Sequence, residues 1–261
     1  MLHVRFDFAV RLITVFLFAT TVAFAQSNGM KPLPISPEVM AEKTKSAICR
    51  GCHGKGSELN PLTAMHFDGD ESEAAIKVRS GPGNPVAGKD KSKLCQGCHG
   101  EAGNSVESHV PKLAGQYGQY ISKQLRNYQS GIRTHQIMNA MAATISDEDL
   151  ADISAYFASQ HKMDGAAANF NLLGQRLFYH SDTTRAHMAC VNCHGISGKG
   201  LRPGTSMFPV IGGQHKEYLL GQLRSFKNDD RSNSPNAIMN KIAKALTDEE
   251  LEALAEYVSE Q

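Results

Sequence analysis

The sequence predicts an all-α protein with two tandem copies of one helical unit, preceded by a shorter segment that could hold only part of a third. Three observations predict it. From about residue 85 onward the same pattern occurs twice, at offsets that drift from 95 to 98 to 101 positions. Apolar residues in each copy recur three and four apart, and no stretch sustains the alternation of a strand. All six cysteines fall in three Cys-x-x-Cys-His pentapeptides, one in each copy and one in the leading segment.

Residues 1–25 read as an export signal. Arg5 and Arg11 supply positive charge, Leu12 to Phe18 and Val22 to Phe24 are apolar, and Ala23-Phe24-Ala25 forms a cleavage site before Gln26. The apolar run is short and poorly flanked for a membrane span, although Asp7 is atypical of a signal and an uncleaved anchor is the alternative. Cleavage leaves equal numbers of acidic and basic residues, which argues against a nucleic-acid partner. The expected location is the periplasm, with a soluble mature protein. Residues 26–84 form a leading segment that carries Cys49-Arg50-Gly51-Cys52-His53 and ends in the linker Gly81-Pro82-Gly83-Asn84-Pro85. Asn60 to Thr63 and Ile76 to Gly81 echo part of the repeated unit, so a truncated domain is expected.

The full units span residues 85–164 and 165–261, with Asp164-Gly165-Ala166 at the boundary. Cys95 and His99 return as Cys190 and His194, Pro111 and Gly115-Gln116 as Pro209 and Gly213-Gln214. Met138-Asn139 and Leu150 return as Met239-Asn240 and Leu251. The growing offset fits short insertions absorbed by surface loops and not by the helices. Each unit should open with a helix that ends at its pentapeptide, clearest over residues 169–179. A second helix over residues 118–129 presents Tyr120, Ile121, Leu125 and Tyr128 on one face, and residues 216–227 are its counterpart. The last helix should start at a capping box, Ser146 to Asp149 or Thr247 to Glu250. Its buried stripe is Leu150, Ile153, Tyr156 and Phe157, repeated as Leu251, Leu254, Tyr257 and Val258.

The pentapeptide is the attachment pattern of c-type haem. Two thiols form thioethers to the porphyrin vinyl groups, and the adjacent histidine reaches the iron. Cys49, Cys52, Cys95, Cys98, Cys190 and Cys193 are the attachment residues, and His53, His99 and His194 the proximal ligands. Three haem c groups are expected, or two if the first motif is empty. A redox dithiol needs no following histidine, and a structural zinc site draws its ligands from two separated knuckles. The sixth ligand decides the chemistry, because a thioether there favours electron transfer and an open position favours small-molecule binding. Met138 and Met239 are the methionines related by the repeat, both expected in the loop before the capped helix. Met141 is a rival whose counterpart, Ile242, cannot ligate; the alternative is that the methionines simply fill core space. For the first haem, Met65 and His66 are the candidate distal ligands, with an open iron as the third option. His109, His135, His161, His180, His187 and His215 show no ligand spacing and read as surface or supporting residues.

Residues from about 85 to 261 resemble the cytochrome c4 family, diheme periplasmic carriers built from two class-I cytochrome c domains. The resemblance rests on Cys95 to Gly100, Pro111 to Gln116, Lys123-Gln124-Leu125 and Ala155-Tyr156-Phe157, and on Gly212 to His215, Gln222-Leu223 and Ile238-Met239. It implies axial pairs His99 with Met138 and His194 with Met239, and two haems meeting near the domain boundary. It implies one-electron transfer without catalysis, from a quinol-oxidising complex towards a terminal oxidase or reductase, with membrane contact only through such partners. The alternatives are a haem subunit of a periplasmic oxidoreductase, or an enzyme that uses an open site on the first haem.

Overall fold

The structure is a computed structural model that describes residues 71–165, 171–201 and 208–261. The expected export signal, Cys49, Cys52, His53, Met65 and His66 lie outside the described residues. Among the described residues the chain is helical, with one isolated antiparallel bridge between Asp182 and His187.

A short helix, α1 (Glu73–Ser80), precedes the first unit and is tied to it. Arg79 is only 3% exposed; its Nε donates to the Ala158 carbonyl at 2.8 Å while its guanidinium pairs with Glu71 at 2.8 Å. The first unit continues with α2 (Pro85–Lys91), α3 (Lys93–His99), α4 (Gly118–Gln129), α5 (Gln136–Ala143) and α6 (Asp147–Ser159). The second contains α7 (Leu172–Tyr179), α8 (Val191–His194), α9 (Lys216–Lys227), α10 (Ile238–Lys244) and α11 (Asp248–Ser259). These are two tandem helical domains, each with its own core. The expected stripe of the last helix is buried in both.

Each first helix crosses its domain's last helix at a glycine. A Cβ on Gly88 would lie 2.0 Å from the Asp152 carbonyl oxygen, and one on Gly174 would lie 2.1 Å from that of Ala253. The two backbones therefore touch, which only glycine permits. In the first domain Asp152 adds a clamp: its carboxylate accepts from Lys91 Nζ and from the Asn84 backbone N–H, both at 2.7 Å. The Lys91 hydrogen bond, and then the Asn84 one, hold the Asp152 pKa below the usual carboxylate value. A depressed folded-state pKa gives stability that is present above about pH 4 and is lost as pH falls through the folded value. Asp152→Asn is expected to cost about 1–3 kcal/mol at pH 7. Denaturant titrations at pH 7 and pH 3 check this; a deficit that persists undiminished at pH 3 would contradict the ionic clamp.

Three expectations need correction. In the second domain the opening helix stops at Tyr179, well before Cys190, because His180 is extended and residues 181–189 form a turn. That turn is held by Asp182 on the Thr184 N–H and by Ser181 on the Ala189 N–H. The pentapeptide then makes its own single turn, α8. Met138 and Met239 lie on short helices, α5 and α10, rather than in open loop. Thr247 and Glu250 form the full capping box, whereas Ser146 caps α6 without a returning acid. The residue at that place is Asp149, one methylene shorter than Glu, and it pairs instead with Lys91 at 2.8 Å.

The domains meet through exchanged contacts with approximate two-fold symmetry. Gln116 donates to the Val210 carbonyl at 2.7 Å and accepts from its N–H at 2.9 Å. Gln214 does the same to Lys112, with both bonds at 2.9 Å. Lys112 and Val210 are themselves related by the 98-residue offset, so the contact is isologous in form. The glycine before each glutamine has positive φ, 64° at Gly115 and 82° at Gly213. This explains why the Gly-Gln pair is repeated. Tyr120, expected on the apolar face of its helix with Ile121, Leu125 and Tyr128, packs at this boundary beside Tyr117, Met163 and Val210.

Candidate haem sites

Helix α3 carries Cys95 and Cys98 three residues apart, on one side of the helix, and places His99 at its last position. The His99 ring is buried, with Nδ1 2.8 Å from the Pro111 carbonyl. In the second domain α8 presents Cys193 and ends at His194, whose Nδ1 lies 2.9 Å from the Pro209 carbonyl. A carbonyl only accepts, so each Nδ1 carries the proton and each Nε2 presents its lone pair. Burial pushes both imidazoles below their usual pKa, and the carbonyl hydrogen bond partly reverses the shift. Both rings are thus neutral, oriented and able to bind a metal through Nε2. The repeated prolines at 111 and 209 supply the carbonyl acceptors that fix this orientation.

The thiols are unpaired. Cys95, Cys98, Cys190 and Cys193 are free cysteines. Burial raises the Cys95 and Cys193 pKa values and pushes Cys190 up to about 12. Thiols so protonated are poor redox nucleophiles at neutral pH.

Each domain also brings a methionine to the same cluster as its first cysteine. Met138 and Cys95 pack on the core around Ile121, Leu125 and Phe157; Met239 and Cys190 pack on the core around Phe178, Leu219 and Tyr257. Both methionines are half-buried. The backbone N–H of Met138 donates to His135 Nδ1 at 3.4 Å, and that of Met239 to Ser234 Oγ at 3.2 Å. Ile242, the counterpart of Met141, is a buried core residue. One oriented imidazole, two thiols and a thioether in each domain fit haem c.

Two features escaped the sequence reading. His187, expected at the surface or in support, is only 2% exposed, and neither ring nitrogen has a hydrogen-bond partner among the described residues. It closes the turn before Cys190, where burial first and Arg185 second lower its pKa. Arg133 and Arg231 are also buried, at the domain boundary. Their 98-residue offset was the signal that could have found them.

The family model "Cytochrome c" matches residues 86–161 and 173–261, more than half of the chain. The chain belongs to the cytochrome c family. It is similar to cytochrome c4 of Pseudomonas aeruginosa, 40% identical over 60% of this chain and 78% of that protein. The crystal structure of reduced recombinant cytochrome c4 from Pseudomonas stutzeri superposes with a TM-score of 0.64 at 35% identity, covering 68% of this chain and 98% of that one. These matches identify the tandem domains as cytochrome c4-like. A "thiosulfate dehydrogenase electron acceptor" of Thiomonas intermedia is 29% identical, but over 85% of this chain and 82% of its own length. A match of that extent necessarily takes in Cys49 to His53. As a cytochrome c, the chain binds haem c covalently and serves electron transfer. No helix among the described residues is long and apolar enough to cross a membrane.

Proposed function

We propose that this chain is a periplasmic triheme carrier of single electrons. The observation that carries the reading is the twinned arrangement: a buried imidazole fixed on a proline carbonyl, with a thioether packed on the same core as the first cysteine, in both domains. Cys95 with Cys98, and Cys190 with Cys193, are the thioether anchors in the two domains. His99 with Met138, and His194 with Met239, are the axial pairs. Cys49, Cys52 and His53 hold a third group, with Met65 or His66 as its distal ligand or that position left open. The domains span residues 85–164 and 165–261.

A bound haem c supplies a one-electron ferric/ferrous couple. Pro111 and Pro209 keep the His99 and His194 rings from rotating, and Met138 and Met239 would hold the iron as its further ligands and so exclude substrates from it. The packed cores limit reorganisation on electron gain and loss. The donor is a periplasmic dehydrogenase of the thiosulfate-oxidising type, the partner named for the Thiomonas relative that matches the leading segment as well. The acceptor is a terminal oxidase or reductase. A second reading, a permanent haem subunit of that dehydrogenase, rests on the same similarity.

Intact mass of the exported protein should show three added haems; two would remove the first motif from the account. Carbon monoxide and cyanide should leave both cytochrome domains unligated, so that any ligand binding is confined to the first haem. Reduction on mixing with a thiosulfate dehydrogenase and its substrate supports the donor. Stoichiometric co-purification with that enzyme would favour the subunit reading instead.

A further inference from the structure

In each domain a single peptide unit joins the buried imidazole to a glutamine of the other domain. The Pro111–Lys112 unit accepts from His99 Nδ1 at its carbonyl, 2.8 Å away, and donates its N–H to Gln214 Oε1 at 2.9 Å. The Pro209–Val210 unit accepts from His194 Nδ1 at 2.9 Å and donates to Gln116 Oε1 at 2.9 Å. Gln116 is 5% and Gln214 4% exposed, so water competes little for these bonds. Each Oε1 also accepts the backbone N–H of the following residue, Tyr117 at 3.1 Å and His215 at 3.0 Å. Two N–H groups converge on each oxygen, which fixes the end of the amide that faces the proline peptide.

The two bonds on one peptide unit are not independent. The amide is conjugated, so an acceptor at its N–H leaves its carbonyl oxygen more negative. Bonds linked in this way polarise each other, each gaining about 10–30% in strength. A stronger acceptor at Nδ1–H makes the imidazole richer in electrons at Nε2 and a better metal ligand. Gln214 of the second domain therefore acts on His99 of the first, and Gln116 of the first on His194 of the second.

We propose that Gln116 and Gln214 each tune the reduction potential of the haem in the opposite domain, through the peptide that holds its proximal histidine. They are positioning residues, since each acts on the imidazole only through the peptide between them. The inference rests on the proposed haem occupancy of both domains, with His99 and His194 as proximal ligands. An electron-rich imidazole stabilises the oxidised iron, so each glutamine holds that potential down and its loss lets it rise. Because the bonds are exchanged, each centre keeps its potential only while the two domains stay docked.

The test is a redox titration of the holoprotein followed by NMR, in which porphyrin methyl signals report each haem separately. The samples are the wild type, Gln116→Met and Gln214→Met; methionine keeps the side-chain length and loses the strong acceptor. Gln214→Met should shift the His99 haem about threefold towards the reduced form, which is about 28 mV for a one-electron couple, and leave the His194 haem unmoved. Gln116→Met should do the converse. The Nδ1–H resonance of the affected histidine in the reduced protein should move upfield, as a weaker hydrogen bond requires. A shift confined to the haem of the substituted domain, equal shifts at both haems, a lowered potential or no change would overturn the proposal. Haem stoichiometry of the same samples separates the two readings. Haem-free domain motifs in the wild type would defeat the functional reading; intact haems without the crossed shift would defeat only this one. If the methionine variants do not assemble, the reduced, loaded wild type decides. A scalar coupling across the hydrogen bond, from the Lys112 amide nitrogen to the Gln214 side-chain carbonyl carbon, is expected, and its absence would overturn the proposal.

Discussion

Replacing Met239 by alanine is expected to abolish the sulfur-to-iron charge-transfer band of one haem and to lower that haem's potential by about 0.1 V or more. Axial ligation commands a span of roughly 0.8 V, and thioether ligation lies towards its upper end. Met138→Ala should do the same to a different haem, so that the double variant loses both bands. Alanine also removes a half-buried side chain from each core cluster. Met141→Ala is the control, since its counterpart is Ile242 and it should leave both bands in place. Absorption spectra in the near red and potentiometry on the four proteins check this. A retained band in Met239→Ala would move the ligand elsewhere.

Gly174→Ala is expected to cost about 3 kcal/mol or more and to impair haem retention in the second domain, with Gly88→Ala acting likewise in the first. The added Cβ would sit 2.1 Å from the Ala253 oxygen and 2.6 Å from Tyr257 Cβ, so two helix backbones must separate. Overpacking of this kind costs about 1–3 kcal/mol when side chains can adjust, and here the obstacle is backbone. Gly221→Ala is the internal control: it lies within α9 with nothing within 4 Å of the new Cβ. There alanine should be neutral or stabilising by about 0.5–1 kcal/mol. Denaturant melts followed by far-UV and Soret signals check the set. Equal stability of the Gly174 and Gly221 variants would contradict the close helix crossing.

Much of this was legible in the residues because local chemistry and the repeat agreed. The second helix and its counterpart, residues 118–129 and 216–227, match α4 and α9. Their bounds could be read because apolar spacing and the flanking breaks coincide. The buried stripe of the last helix was equally plain. What escaped depends on contacts far apart in sequence. Gly88 and Gly174 do not share the offset of the other repeat mates, and nothing local marks a glycine as a helix crossing. Tyr120 has the apolar spacing of a core residue, yet the neighbouring domain claims it. Gln116 and Gln214 were visible as a repeat, but their exchange of bonds with Val210 and Lys112 appears only when the domains meet. The turn at residues 181–189 was hidden because its hydrogen bonds come from Ser and Asp side chains rather than from a periodic pattern.

Peptide mapping of the purified, exported protein bears most directly on the covalent attachment of haem at the twin motifs. Fragments containing Cys95 to His99 and Cys190 to His194 should each carry the mass of one haem and give a pyridine haemochrome of the c type. Unmodified cysteines in either fragment would contradict the account.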